Sequence, residues 1–139
     1  MILSLLVVIP PALRTSVAIA LGAIPGALCR YYFTFWLSRW FGNDLPYATF
    51  LVNFTGAIGM GIVVTLVTAG SSWLTPDLRI LVAVGFLGSY TTFSTYVLEV
   101  TSLWQSGLAG QSLLYGIGSL ILGVIGILMG SLVAQRWLT

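Results

Sequence analysis

Apolar residues occupy four long stretches of this chain, and short polar segments rich in glycine and proline separate them. A helix that crosses the roughly 30 Å hydrocarbon layer of a membrane needs about 20 apolar residues. Residues 15–41 hold one such helix, interrupted only by Arg30 and Arg39. Three uncharged runs hold one helix each: 45–76, 80–98 and 100–135. The pattern predicts an all-α membrane protein whose four transmembrane helices span about 15–38, 46–69, 78–103 and 111–134.

The composition agrees with a multi-pass location in a membrane. Of the 139 residues, 58% are hydrophobic and only 6% are charged. A soluble domain carries roughly a quarter charged residues, because its surface faces water. The length allows a single domain, residues 1–139. The formal net charge of +2 comes from scattered arginines, so the sequence predicts membrane lipid, and no nucleic acid, as a partner.

Turn residues and tryptophans mark the ends of the predicted spans. Pro10 and Pro11 precede the first helix, and Thr75 and Asp77 are candidates for the N-cap of the third. An amphipathic ring suits the headgroup layer, and five tryptophans fall near span ends: Trp36, Trp40, Trp73, Trp104 and Trp137. The first nine residues lack the basic start and the cleavage site of a signal peptide. We interpret them as a lead-in to the first helix or a segment at the membrane surface.

The arginines give the chain almost no preferred orientation. Four spans put both termini on one side, together with Arg14, Arg79 and Arg136, against Arg39 and at most Arg30 on the other. Such a small bias allows insertion both ways round, and we hypothesise an antiparallel homodimer. A four-helix bundle fills its own centre with side chains, so a permeation path requires at least two chains.

Small residues form stripes on two of the predicted helices. In the fourth span they recur at steps of three and four: Gly116, Ser119, Gly123, Gly126 and Gly130. In the first span Gly22, Gly26 and Arg30 follow at steps of four, so the arginine points toward protein. Close packing of neighbouring helices is the favoured interpretation of both stripes, ahead of a direct role in a pore.

The third span carries polar chemistry that lipid-facing sequence lacks. Residues 85–96 read GFLGSYTTFSTY, with two glycines and five Ser or Thr. Glycine permits unwinding, and hydroxyls take up the backbone groups that a break releases. Broken helices at membrane depth line cavities or bind ions. The run predicts a third helix broken at mid-membrane, with carbonyls suited to a monovalent cation or donors suited to an anion.

Several residues have both a structural and a functional interpretation. Phe93 and Tyr96 share a helix face; they either pack or turn a positively polarised ring edge toward an anion. Asn53 either joins two helices or donates to an anion. Glu99 fits a loop-edge anchor, a partner for an arginine, or a gate. For Arg30, anchoring at the membrane surface is favoured over ligand contact, because a lipid-facing charge costs at least about 2.5 kcal/mol.

An enzyme is not expected. The chain has no His, its three acids lie in separate segments, and no pair for general acid–base catalysis exists. Its single cysteine, Cys29, excludes a disulfide within the chain and a cysteine-based metal site.

Three fragments, taken together and in order, resemble the Fluc/CrcB family of fluoride channels. They are Gly26-Ala27-x-x-Arg30-Tyr31, Thr49-x-x-Val52-Asn53-x-x-Gly56 and Gly85-Phe86-x-Gly88-x-x-Thr91-Thr92-Phe93-Ser94-Thr95. The likeness covers nearly the whole chain. It implies a passive, fluoride-selective channel that exports fluoride from the cytoplasm across the bacterial inner membrane, with two pores in an antiparallel homodimer.

The resemblance also implies roles for particular residues. The backbone carbonyls of Gly88 and Thr91 would hold a structural Na+ at the dimer centre. From the cost of a lipid-facing charge, and not from the resemblance, Arg30 is assigned a structural role. Tyr96 stands where the usual residue is phenylalanine, and Asn53 would direct one of the rings. The fluoride pathway would comprise Asn53, Phe93, Tyr96, Thr49, Ser94, Thr95, Tyr115, Ser119 and Glu99.

Two other classes of function compete with a channel. A proton-coupled small multidrug transporter is also a short protein of four spans, but it relies on an acid embedded in the first span, where this chain has only Arg30. A structural subunit of a larger complex would not explain a broken third helix. A passive fluoride channel is therefore the preferred prediction.

Overall fold

The computed structural model describes residues 9–42 and 46–138, which form only helices and short connections. The helices are α1 (Pro11–Phe41), α2 (Tyr47–Thr68), α3 (Pro76–Arg79), a π-helix (Ile80–Leu87), α4 (Gly88–Tyr90), α5 (Phe93–Gln105) and α6 (Ala109–Leu138). The segments from α3 to α5 succeed one another along a single stretch, 76–105. Among these described residues, four helical stretches are long and apolar enough to cross a membrane, as the sequence predicts.

The helices begin and end at backbone caps, whereas the bounds of the spans were predicted from the length of the apolar stretches. α1 begins at Pro11, which occupies the first helical turn, where a missing N–H costs nothing. It ends before Gly42, whose φ of 75° lies in the left-handed region. The interpretation of the first nine residues falls, except for Ile9, outside the described residues. Residues 43–45, between the first two predicted spans, also lie outside them.

The polar start of the third span is tied to its neighbours. The Thr75 hydroxyl accepts a hydrogen bond from the Leu78 N–H at 3.4 Å, so Thr75 is the N-cap of α3. Asp77 has a different role, since its Oδ2 lies 2.9 Å from Nε of Arg14 on α1. This ion pair joins the beginnings of the first and third spans. The sequence places both of these beginnings, with Arg14 and Arg79, on the same side of the membrane.

Glycines let the helices pack in two close pairs. α1 lies against the π-helix and α2 lies against α6. A Cβ added at any of four glycines would overlap a backbone carbonyl oxygen of the facing helix: Gly22 (Leu81), Gly26 (Phe86), Gly61 (Ile127) and Gly130 (Ile58). These positions therefore need glycine because backbone meets backbone there.

The predicted stripe of small residues on α6 serves more than one neighbour. A Cβ at Gly126 would lie 3.2 Å from the Ala57 side chain on α2, whereas one at Gly116 would lie 3.5 Å from Val100 on α5. Nothing lies within 4 Å of a Cβ added at Gly123. The stripe thus explains helix packing at its two ends, whereas Gly123 in its middle faces no other part of the described chain.

We expect Gly26→Ala to destabilise the protein by about 1–3 kcal/mol, because the new methyl group must push α1 away from the π-helix. Thermal unfolding in detergent, followed by tryptophan fluorescence, measures the change. Gly123→Ala is the matched control: it adds the same methyl group to a helix interior where nothing lies within 4 Å. Equal unfolding temperatures for the two variants would contradict the close packing.

Apolar side chains cover the outside of the bundle. The five tryptophans all have more than half of their area exposed, from 53% for Trp36 to 75% for Trp40. A chain with so much apolar surface needs lipid or another protein around it. The tryptophans lie at or near helix ends, where the sequence predicts an interfacial belt.

Candidate functional site

The helical winding stops for two residues in the third span. Thr91 (φ −78°, ψ 158°) and Thr92 (φ −147°, ψ 114°) are extended between α4 and α5. The Thr91 N–H still bonds the Leu87 carbonyl at 3.0 Å, so the change begins after that group. These two residues belong to the hydroxyl-rich run that the sequence singles out.

Asn53 on α2 holds the extended segment with both ends of its amide. Its Nδ2 donates to the Thr92 carbonyl at 3.0 Å, and its Oδ1 accepts from the Thr92 N–H at 2.8 Å. The Asn53 side chain thus takes the place of the helical partners of the Thr92 N–H and carbonyl. Asn53 joins two helices, and one Nδ2 hydrogen remains for another acceptor. Its predicted influence on a ring stays a prediction.

Thr92 is a residue that sequence reasoning missed as part of the site. Its hydroxyl is the N-cap of α5, since it accepts from the Thr95 N–H at 3.3 Å. It also donates to Oγ1 of Thr95 at 2.9 Å and lies 3.4 Å from Oγ of Ser94. A threonine just before a helical stretch is an N-cap signal, so the sequence contained the information that α5 starts anew at Phe93.

The same hydrogen bonds remove the usual donors of two carbonyls. In a continuous helix the Thr92 N–H would bond the Gly88 carbonyl, and the Thr95 N–H would bond the Thr91 carbonyl. The first N–H instead donates to Asn53 and the second to the Thr92 hydroxyl. The usual helical donors of the Gly88 and Thr91 carbonyls are thus engaged elsewhere.

Glu99 on α5 joins α2 and α6 through two hydroxyls. Thr49 Oγ1 donates to Oε1 at 2.7 Å, and the Tyr115 hydroxyl donates to Oε2 at 2.8 Å. Within the described part of the chain, these contacts match neither a loop-edge anchor nor a partner for an arginine, which are two of the interpretations of Glu99. Each carboxylate oxygen has a hydroxyl partner, which offsets part of the cost of placing a charge there.

The two aromatic residues of α5 have different environments. The Tyr96 side chain is buried, and its hydroxyl donates to the Gly116 carbonyl at 2.6 Å. Its ring centroid lies 5.7 Å from that of Phe93 and 5.5 Å from that of Tyr115. Phe93 is 72% exposed. Tyr96 is thus fixed between α5 and α6, whereas the Phe93 ring is presented on the surface of the chain.

The remaining predicted residues divide between two openings. The first, here called the α1 cleft, has a volume of about 650 Å³ and brings together Arg30, Thr49, Thr95 and Glu99. A second groove of about 300 Å³ between α2 and α6 contains Tyr115 and Ser119. The bond from Tyr115 to Glu99 connects the two. Ser94 lies exposed beside Phe93, outside both.

Two atoms in these openings are buried without a partner in the described chain. They are Nε of Arg30 and Oγ of Ser119. A buried polar atom without a hydrogen bond costs about 1–3 kcal/mol, so such atoms commonly have water, an ion or a partner molecule beside them.

Comparison with known proteins identifies the family. Residues 17–131 match the family described as CrcB-like protein, Camphor Resistance (CrcB). The chain belongs to the CrcB family. A member from Synechocystis sp. is 66% identical over 127 residues, which cover 91% of this chain and 97% of that relative. A member from Synechococcus sp. is 43% identical over 129 residues, covering 93% and 98%. Both relatives are named "Fluoride-specific ion channel FluC".

The CrcB match includes all the residues that form the site. The matched range contains Arg30, Thr49 and Asn53, both extended threonines, the aromatic residues of α5, Glu99, and the polar residues of α6. A third relative, from Trichormus variabilis, is 43% identical over 125 residues, covering 90% of this chain and 91% of that protein. It carries the same channel name.

Proposed function

We propose that this chain forms a passive, fluoride-selective channel that lets fluoride leave the cytoplasm. The observation that carries the proposal is the extended Thr91–Thr92 segment, where an amide and several hydroxyls meet in a chain whose relatives are named fluoride channels. Hydroxyls, an amide and ring edges are neutral donors that suit a small, strongly hydrated anion.

Neutral donors explain release as well as binding. A fixed cation at each step would hold fluoride too tightly for rapid transit, and residues 80–98 contain no Lys or Arg. The pathway we propose comprises Thr49, Ser94, Thr95, Glu99, Tyr115 and Ser119 in addition to Asn53, Phe93 and Tyr96. In this pathway the Tyr96 hydroxyl, already bonded to Gly116, orients its ring and does not face the ion.

The working unit in this proposal is an antiparallel homodimer with two pores. Phe93 is 72% exposed, which is unusual for a pore-lining ring unless a second chain covers it. The groove holding the unpartnered Ser119 hydroxyl offers a place for such a ring. The weak arginine bias allows both orientations. C-terminal reporters active on only one side of the inner membrane test this arrangement, and signal from one side alone would contradict it.

Na+ fits the backbone at the break as a structural ion. Gly88 and Thr91 each offer a carbonyl whose usual helical donor is engaged elsewhere, and carbonyl oxygens are suitable ligands for a hard monovalent cation. Two chains related by two-fold symmetry would supply four such oxygens. The ion would neutralise the partial charges that converge there. Unchanged flux and dimer stability after complete replacement of Na+ by a large organic cation would contradict its role.

The multidrug transporter is a weaker alternative. Its mechanism requires an acid within the first span, and α1 contains none. Its transport is also coupled to protons, whereas a channel needs only the gradient of its ion. The two classes therefore differ in a single flux experiment.

Purified protein in lipid vesicles loaded with potassium fluoride provides the test. We expect rapid fluoride efflux once valinomycin carries potassium, without any proton gradient, and no measurable efflux from vesicles loaded with chloride. Empty vesicles give the background leak. Absence of fluoride efflux from correctly folded protein would reject the channel, and efflux that depends on a proton gradient would favour the transporter.

A further inference from the structure

One face of α1 carries polar residues that the proposed pathway does not use. Arg30, Thr34 and Ser38 follow at steps of four, so they form a stripe along one side of the helix, and Arg39 lies at its outer end. All four line the α1 cleft, opposite Thr92 and Thr95 at the break. The stripe thus leads from the end of α1 to the extended segment of the third span.

The hydroxyls of this stripe are not used inside the protein. Hydroxyls in membrane helices usually bond the carbonyl one turn earlier, as Thr55 does to Leu51 and Thr101 does to Val97. Neither Thr34 nor Ser38 has a side-chain hydrogen-bond partner among the described residues. Since both line the cleft, their hydroxyls are available to water or an anion within it.

Arg39 presents its charge at the outer part of the cleft. Its guanidinium carbon lies 5.7 Å from the ring centroid of Phe35, so the side chain rests on the same helix. No carboxylate of the described residues forms an ion pair with it. The cleft contains Arg30 and Arg39 against a single acid, Glu99, whose two oxygens already accept from hydroxyls. Its charge balance is therefore positive.

We infer that Arg39, with Ser38 and Thr34, forms an outer recruiting site for small anions, which delivers fluoride along α1 to Arg30. The inference rests on the proposed fluoride channel and adds residues that raise the local concentration of the ion before it reaches the break. Long-range attraction by one exposed charge acts on the rate of association and weakens with salt. A capping interaction of Arg39 with the end of α1 is the competing, purely structural interpretation.

The ionic-strength dependence of fluoride efflux separates these interpretations. Efflux is measured at a constant low fluoride concentration while an impermeant salt raises the ionic strength from about 10 mM, where the Debye length is roughly 30 Å, to about 300 mM. Arg39→Gln is expected to lower the low-salt rate about threefold and to match the unchanged protein at high salt. Arg39→Lys should keep the rate.

A charge-reversal experiment makes the test independent of folding. In a Cys29→Ser background, Arg39→Cys protein in vesicles is treated with a thiol reagent that carries either a quaternary ammonium or a sulfonate. The cationic adduct should restore the low-salt rate, and the anionic adduct should lower it further. A structural role predicts the same change with both reagents. Equal rates for Arg39→Gln and the unchanged channel at low salt would overturn the inference, whereas an unchanged protein without fluoride flux would instead reject the channel itself.

Discussion

Fluoride flux is expected to fall at least about 100-fold when Asn53 is changed to Asp. The substitution keeps the shape but replaces the Nδ2 donor, which lies 3.0 Å from the Thr92 carbonyl, by a carboxylate oxygen. Two acceptors would then face each other, and the lost bond leaves the carbonyl unsatisfied at a cost of about 1–3 kcal/mol. A carboxylate also repels a passing anion, by about 4 kcal/mol at 4 Å in a surface-like dielectric. Each tenfold loss of rate corresponds to about 1.4 kcal/mol.

The vesicle efflux assay measures this loss, and size-exclusion chromatography shows whether the variant keeps its assembly. Gln105→Glu is the matched control, because it makes the same amide-to-acid change at the exposed end of α5, outside the α1 cleft. The control should conduct like the unchanged protein. Flux within about threefold of normal in Asn53→Asp would mean that the amide neither shapes the break nor meets the ion.

The four-helix architecture could be predicted from the sequence because its causes are local. Apolar length, the Pro10–Pro11 pair and the Gly42 turn all act within a few residues of the features they specify. The extended segment at Thr91–Thr92 also has a local signature, since hydroxyl-rich runs with glycine do not favour continuous helix. The proline and glycine signals need no knowledge of partners across the fold, whereas the extended segment is also held by Asn53, 39 positions away.

The contacts that complete the site depend on distant parts of the chain. Nothing in the sequence around Tyr96 indicates that its hydroxyl reaches the Gly116 carbonyl, 20 positions away. The same holds for Glu99, which bonds Thr49 across 50 positions. These pairings depend on how α2, α5 and α6 are rotated relative to one another. The composition of each helix permits many rotations, so the sequence alone does not specify the partners.

Phe93→Ile is expected to reduce fluoride flux severalfold, by up to about tenfold, while leaving the fold of the chain intact. The branched aliphatic side chain has no polarised edge, and an aromatic edge contributes roughly 0.5–1.5 kcal/mol to a favourable contact. Phe93 is 72% exposed, so its removal leaves little cavity within the chain. The unfolding free energy should therefore fall by less than the about 3–5 kcal/mol that truncation of a buried core phenylalanine costs. A large loss of flux with a small change of stability assigns the ring to conduction.

The comparison with Phe33→Ile makes this interpretation specific to position 93. Phe33 is also exposed, at 39%, and its ring meets Tyr90 edge to face at 6.4 Å, on the side of α1 away from the α1 cleft. If the ring at 93 made only a generic aromatic contact, Phe93→Ile and Phe33→Ile would behave alike. Both would then change the unfolding temperature more than the fluoride flux. If the ring edge at 93 acts on the ion, only Phe93→Ile loses fluoride efflux. Normal efflux in Phe93→Ile would remove this ring from the pathway and leave the anion to the hydroxyls and the amide alone.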